Sequence, residues 1–211
     1  MFVVTNRKVN TRKEGLDLFG DTPNTVGPNE LRLVKVTKQG SHYTTELLAD
    51  RLTQAEVREL KRRHALDIDE RADWYASLRV ACDLMEQAAR EKRHLLVYVH
   101  GYNNDMKDVL GTAEALQAIY NVIVLPFSWP ANGGGAVSGT AAYLDMGNYV
   151  LKYALRPSAA AAAKLIFDNV SLVAADANNA ALKAVFSDAF EGRRAEERLS
   201  YAADINAYRL M

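Results

Sequence analysis

Two unbroken apolar runs separated by one helix-length segment constrain the fold of this chain more than any other feature. Leu95-Leu96-Val97-Tyr98-Val99 and Val122-Ile123-Val124-Leu125-Pro126-Phe127 lack polar alternation, the pattern of strands covered on both faces of a parallel sheet. Residues 105–118 between them carry helical spacing, so 95–127 reads as a strand–helix–strand unit. A third run, Val170-Ser171-Leu172-Val173-Ala174-Ala175, predicts another buried strand.

Around this unit the pattern changes. Phe2 to Thr5 is a short β-branched strand ending in Asn6-Arg7, followed by a loop whose residues 15–30 are rich in glycine and proline. Leu31-Arg32-Leu33-Val34-Lys35-Val36 alternates, turns at Gln39-Gly40, and returns through Tyr43-Thr44-Thr45-Glu46-Leu47-Leu48 as a hairpin. Residues 53–63 form a helix behind a Thr53 cap. Residues 69–92 form a second helix, with Trp74, Leu78, Ala81 or Cys82, Met85 and Ala89 on its apolar face. Helices are also predicted over 147–165, 178–190 and 196–211. The expectation is a single domain over residues 1–211: an N-terminal strand and hairpin (1–50), an α/β core (93–190) and a terminal helix (191–211). Its layers would be α/β/α around a mainly parallel sheet.

Composition excludes several partners. Lys plus Arg and Asp plus Glu both number 26, so no one-sided positive field is available for nucleic acid. No apolar run approaches the roughly 18 residues of a membrane span. The only cysteine, Cys82, cannot form an internal disulfide, and its helical setting makes it a buried, inert thiol. The four histidines, His42, His64, His94 and His100, show no two-ligand spacing, so neither metal nor other cofactor is predicted. The N-terminus lacks the layout of a signal peptide, and the expected location is the cytoplasm.

In doubly wound sheets ligands bind beyond the carboxyl ends of the strands. There His100-Gly101 permits close backbone approach and can aim peptide N–H groups at an oxyanion. The segments His100-Gly101-Tyr102-Asn103-Asn104, Phe127-Ser128-Trp129-Pro130 and Met146-Gly147-Asn148-Tyr149-Val150-Leu151 together resemble a largely uncharacterised branch of the α/β-hydrolases. The openings Phe2-Val3-Val4-Thr5-Asn6-Arg7 and Gly27-Pro28-Asn29-Glu30-Leu31 are similar to the beginning of that family. The resemblance covers most of the chain to about residue 180. It implies intact relatives that are serine hydrolases of ester or acyl bonds, with oxyanion donors corresponding to the N–H groups of Tyr102 and Met146.

Three departures from the family pattern follow. Where the elbow serine belongs, the chain has Leu144-Asp145-Met146-Gly147-Asn148. Between Pro130 and Asp145 lie only 14 residues, 131 to 144, against the about 30 that a strand–helix–strand unit takes. No histidine follows His100, whereas the fold's catalytic histidine comes late in the chain. An internal deletion together with C-terminal truncation accounts for all three. The expectation is an incomplete, catalytically impaired esterase-like protein, or else a remnant without catalysis that binds a small apolar ligand or dimerises through exposed sheet edges.

Each site residue has two readings. Asp145 occupies the position of the family nucleophile, and is otherwise an N-cap for the helix at Met146. His100 is a base, or a hydrogen-bond partner that shapes its turn. Asp176 orients a base, or caps a turn. Ser128 lacks a surrounding G-x-S-x-G and reads as a turn hydroxyl beside an apolar Trp129. Asn103-Asn104 reads as a cap for the helix beginning near Asp105.

Overall fold

A computed structural model of the chain describes residues 1–27, 30–101 and 104–131. The predicted strand Val170 to Ala175 and the helices over 147–165, 178–190 and 196–211 lie outside the described residues. Seven strands and three α-helices occur among those described: β1 (Phe2–Thr5), β2 (Arg7–Val9), β3 (Phe19–Pro23), β4 (Arg32–Gln39), β5 (His42–Leu47), α1 (Gln54–His64), α2 (Ala76–Glu91), β6 (Leu95–Val99), α3 (Met106–Tyr120) and β7 (Ile123–Ser128). No described helix is long and apolar enough to cross a membrane.

The fold is α/β, built, among the described residues, on a five-stranded sheet of order β5-β4-β1-β7-β6. β1 is parallel to β7, and β7 to β6, whereas β4 runs antiparallel to both β1 and β5. The sheet is therefore mixed: a parallel half carries the strand–helix–strand unit and an antiparallel half carries the hairpin. Gln39 pairs with His42 across a two-residue loop. Gly40 opens that loop at φ +62, a conformation that costs glycine little.

Strand alternation divides the apolar residues between two faces. Val3, Val34 and Val36 pack with Met106 and Leu110 of α3 and with Leu18 and Phe19. Their neighbours Phe2 and Leu33 lie against the opposite cluster, where Val80 and Leu84 of α2 meet Ile123, Leu95 and Leu125. Helices thus cover both faces. β1 lies between the antiparallel and parallel halves, and Val3 at its centre is fully buried.

Several boundaries differ from the sequence expectation. The loop after β1 contains β2, a 3-10 turn at Gly15–Leu18 and β3, with Arg7 paired to Pro23 and Val9 to Phe19. This pair is too short for periodicity to reveal. The second helix starts at Ala76 rather than near residue 69, because the preceding residues bond elsewhere. Arg71 N–H and Trp74 Nε1–H donate to Asp69, while Leu52 N–H donates to Trp74 and Ala76 N–H to Asp50.

The inward face of α2 differs as well. Its buried residues are Ala76, Val80, Cys82 and Leu84, of which Val80 and Leu84 face the core cluster, while Met85, expected inside, is 62% exposed. Cys82 is buried, and burial raises its thiol pKa. β6 is half-buried rather than covered on both faces, because among the described residues it pairs only with β7 and forms the sheet edge.

Two helix starts are set by side chains. Thr53 and Glu56 form a reciprocal capping box on α1, as the Thr53 reading expects. α3 is capped by Asp105 and Asp108 in the same way, rather than by Asn103-Asn104. Chemical denaturation should separate core from cap: Val3→Ala is expected to cost about 2 kcal/mol by opening a cavity, and Thr53→Ala about 1 kcal/mol by releasing the cap. A Val3→Ala loss no larger than that of Thr53→Ala would contradict the central placement of β1.

Candidate functional site

Because β1, β7 and β6 are parallel and in register, they end on one edge of the sheet. Thr5 lies opposite Ser128, and Val99 opposite Phe127. The residues that immediately follow, Asn6, Trp129 and His100, are therefore brought together by strand pairing alone. This is the edge at which open α/β sheets bind ligands.

His100 and Trp129 hold each other through ring and backbone. The Trp129 backbone N–H donates to His100 Nε2 at 3.1 Å, and the Trp129 indole Nε1–H donates to the His100 carbonyl at 3.0 Å. The two rings stack, with centroids 5.2 Å apart and planes 11° from parallel. Both residues are 1% exposed.

This geometry sets the protonation of His100. A peptide N–H can only donate, so Nε2 is the accepting nitrogen. Nδ1, 2.7 Å from the Gly101 carbonyl, then carries the proton and donates it there. Burial is the main cause that takes the imidazole pKa from the ordinary 6.5 down to about 4, and the nearby Arg7 charge also lowers it. With both nitrogens committed to backbone, the ring has no free lone pair with which to accept a substrate proton. The same carbonyl of Gly101 also accepts from Asn104 Nδ2 at 3.2 Å.

A second polar group joins β1 to β7. Thr5 Oγ1 donates to the Ser128 carbonyl at 2.8 Å and accepts the Arg7 backbone N–H at 3.0 Å, while Asn6 N–H reaches the same Ser128 carbonyl at 3.1 Å. Arg7 is 1% exposed. Its Nε donates to Ser128 Oγ at 2.9 Å and its Nη2 to the Asn104 carbonyl at 2.8 Å. Burial lowers its pKa, and Asp21 and Asp105 act in the opposite sense. Asn6 Oδ1 is buried and makes no hydrogen bond among the described residues, leaving one acceptor at this edge unsatisfied.

Of the residues predicted from sequence, the structure brings His100, Ser128 and Trp129 together. Tyr102, Asp145, Met146 and Asp176 lie outside the described residues. Sequence reasoning missed Thr5, Asn6 and Arg7 as members of this group. The available signal was three polar residues directly after an apolar strand in a chain that carries a parallel unit. Among the described residues no group of three His, Cys, Asp or Glu side chains is placed to hold a metal ion.

The buried neutral ring makes stability depend on pH. The His100 pKa is about 4 in the fold against 6.5 ordinarily, so between these values the unfolded chain binds the extra proton. Its contribution is complete above the higher value and is lost as pH falls through the window, by roughly 3 kcal/mol in all. Urea unfolding of the native protein and of His100→Asn at the two ends of the window should show a steeper acid loss for the native protein. Equal losses would mean that the imidazole is not buried in its neutral form.

Compared with known proteins, the chain matches no protein-family model, no curated protein and no solved structure.

Proposed function

We propose that this chain is an α/β-hydrolase-like protein that keeps the oxyanion side of an ester or acyl hydrolase site and is catalytically impaired. The observation that carries the reading is the held carbonyl of Gly101 at the carboxyl edge of the parallel strands. It accepts from His100 Nδ1 and Asn104 Nδ2. This held carbonyl directly precedes the residue, Tyr102, to which the family resemblance assigns an oxyanion donor. Pre-orientation of such donors is what stabilises a developing oxyanion.

Impairment follows from chemistry. His100 spends both nitrogens on backbone, so it does not supply the base that a nucleophile at Asp145 would need to release an ester intermediate. The ligand that suits this arrangement is a small ester-like or carboxylate-bearing molecule with an apolar tail, bound without turnover.

Self-association is the second reading, favoured by β6. It is an edge strand among the described residues, and its Val97 is 40% exposed. Unprotected edges pair readily with another chain. Sedimentation velocity is expected to detect a dimer, and a monodisperse monomer across a wide concentration range would exclude this second reading.

The main reading is tested with short-chain nitrophenyl esters and an alkylphosphonate anion. Ester hydrolysis should not exceed the buffer rate, whereas calorimetry should detect phosphonate binding. A Cβ on Gly101 meets no described atom within 4 Å, so Gly101→Ala should leave the unfolding midpoint nearly unchanged and weaken binding about tenfold by obstructing close approach. Ester turnover abolished by Asp145→Ala would refute impairment. Absence of phosphonate binding would refute the retained oxyanion side.

A further inference from the structure

We propose that Arg7 is the positioning residue at the carboxyl edge of the parallel strands, holding both the Asn104 carbonyl and the Ser128 hydroxyl near the His100–Trp129 pair. Its functional meaning rests on the proposed oxyanion-side reading, but the placement itself does not.

The side chain reaches across the fold. Nη2 donates to Asn104, 97 residues away in sequence, and Nε to Ser128, 121 residues away. Nη1 points to the Gly20 carbonyl at 3.4 Å and to Asp21 at 3.6 Å. One guanidinium thus joins β2, β3, the end of β7 and the residue before the α3 cap. A planar fork of five donors can serve acceptors in several directions at once, which a lysine ammonium on its flexible stem does not reproduce.

Burying this cation carries a substantial desolvation cost, and its ionic partner does little to offset it. Asp21 is 68% exposed, so water screens the pair. Asp105 is the other acidic group that acts on Arg7, and Arg7 in turn acts on His100. The short contacts all go to neutral oxygens, two of them backbone carbonyls. A charge placed at such cost to grip three segments, two of them by their backbone carbonyls, specifies where those segments lie.

The indole N–H of Trp129, bonded to the His100 carbonyl, reports on this edge without any substrate. Its hydrogen exchange, followed by nitrogen-15 NMR, is compared with that of β4 amides, which report global opening. In Arg7→Lys the indole should exchange about tenfold faster or more relative to the β4 amides, as expected for losing a charge-assisted hydrogen bond. Ser128→Ala removes only the acceptor of Nε and should act in the same direction, more weakly. If Arg7 variants do not fold, Ser128→Ala decides the matter alone. Indole and β4 amides accelerating together, or neither accelerating, would overturn the proposal. Local loosening at Trp129 in a protein that binds no phosphonate would uphold Arg7 and reject the functional reading.

Discussion

The exchange of hydrogen bonds between His100 and Trp129 is the constraint on which the carboxyl edge of the sheet depends. Parallel pairing brings the ends of β6 and β7 side by side, yet pairing stops at the strand ends and leaves the following backbone free to diverge. The indole N–H to the His100 carbonyl and the Trp129 amide to Nε2 continue the ladder by other means. They require a neutral ring with its proton on Nδ1, and that proton in turn holds the Gly101 carbonyl. A single tautomer therefore fixes two strand ends and one carbonyl.

The same requirement separates structure from chemistry at this edge. A histidine at a strand end beside a candidate oxyanion turn invites a catalytic reading. Here desolvation favours the neutral ring, as for any base removed from water, and two backbone partners occupy its nitrogens. The histidine serves the geometry of the edge, and a reaction there would need its base from elsewhere. Arg7 and Thr5 extend the same logic toward β1, where side chains bond to carbonyls at the ends of the neighbouring elements.

Those parts of the fold specified by local chemistry were legible in the sequence. The apolar runs at β6 and β7 needed no partner to be recognised, the hairpin announced itself through alternation around Gly40, and Thr53 marked the start of α1. What depended on distant partners was hidden. Asp69 and Asp50 accept hydrogen bonds that keep residues 71–75 out of α2, and the helical spacing that continues through that segment gives no sign of it. The inward face of α2 was misjudged because two apolar stripes share one helix, and the stripe chosen from spacing contains the exposed Met85. The edge position of β6 depends on sheet order, which periodicity does not encode. Arg7 was passed over for the same reason: its two shortest contacts are to residues about a hundred positions distant in sequence, and only register brings them near.

The central claim, a neutral His100 locked between Trp129 and Gly101, is tested most directly by the nitrogen-15 shifts of its imidazole. The account predicts a protonated Nδ1 and a bare Nε2 at neutral pH, with no change until the solution approaches about pH 5. A charged ring at neutral pH, or a proton on Nε2, would contradict it, because the Trp129 amide would then face a donor instead of an acceptor.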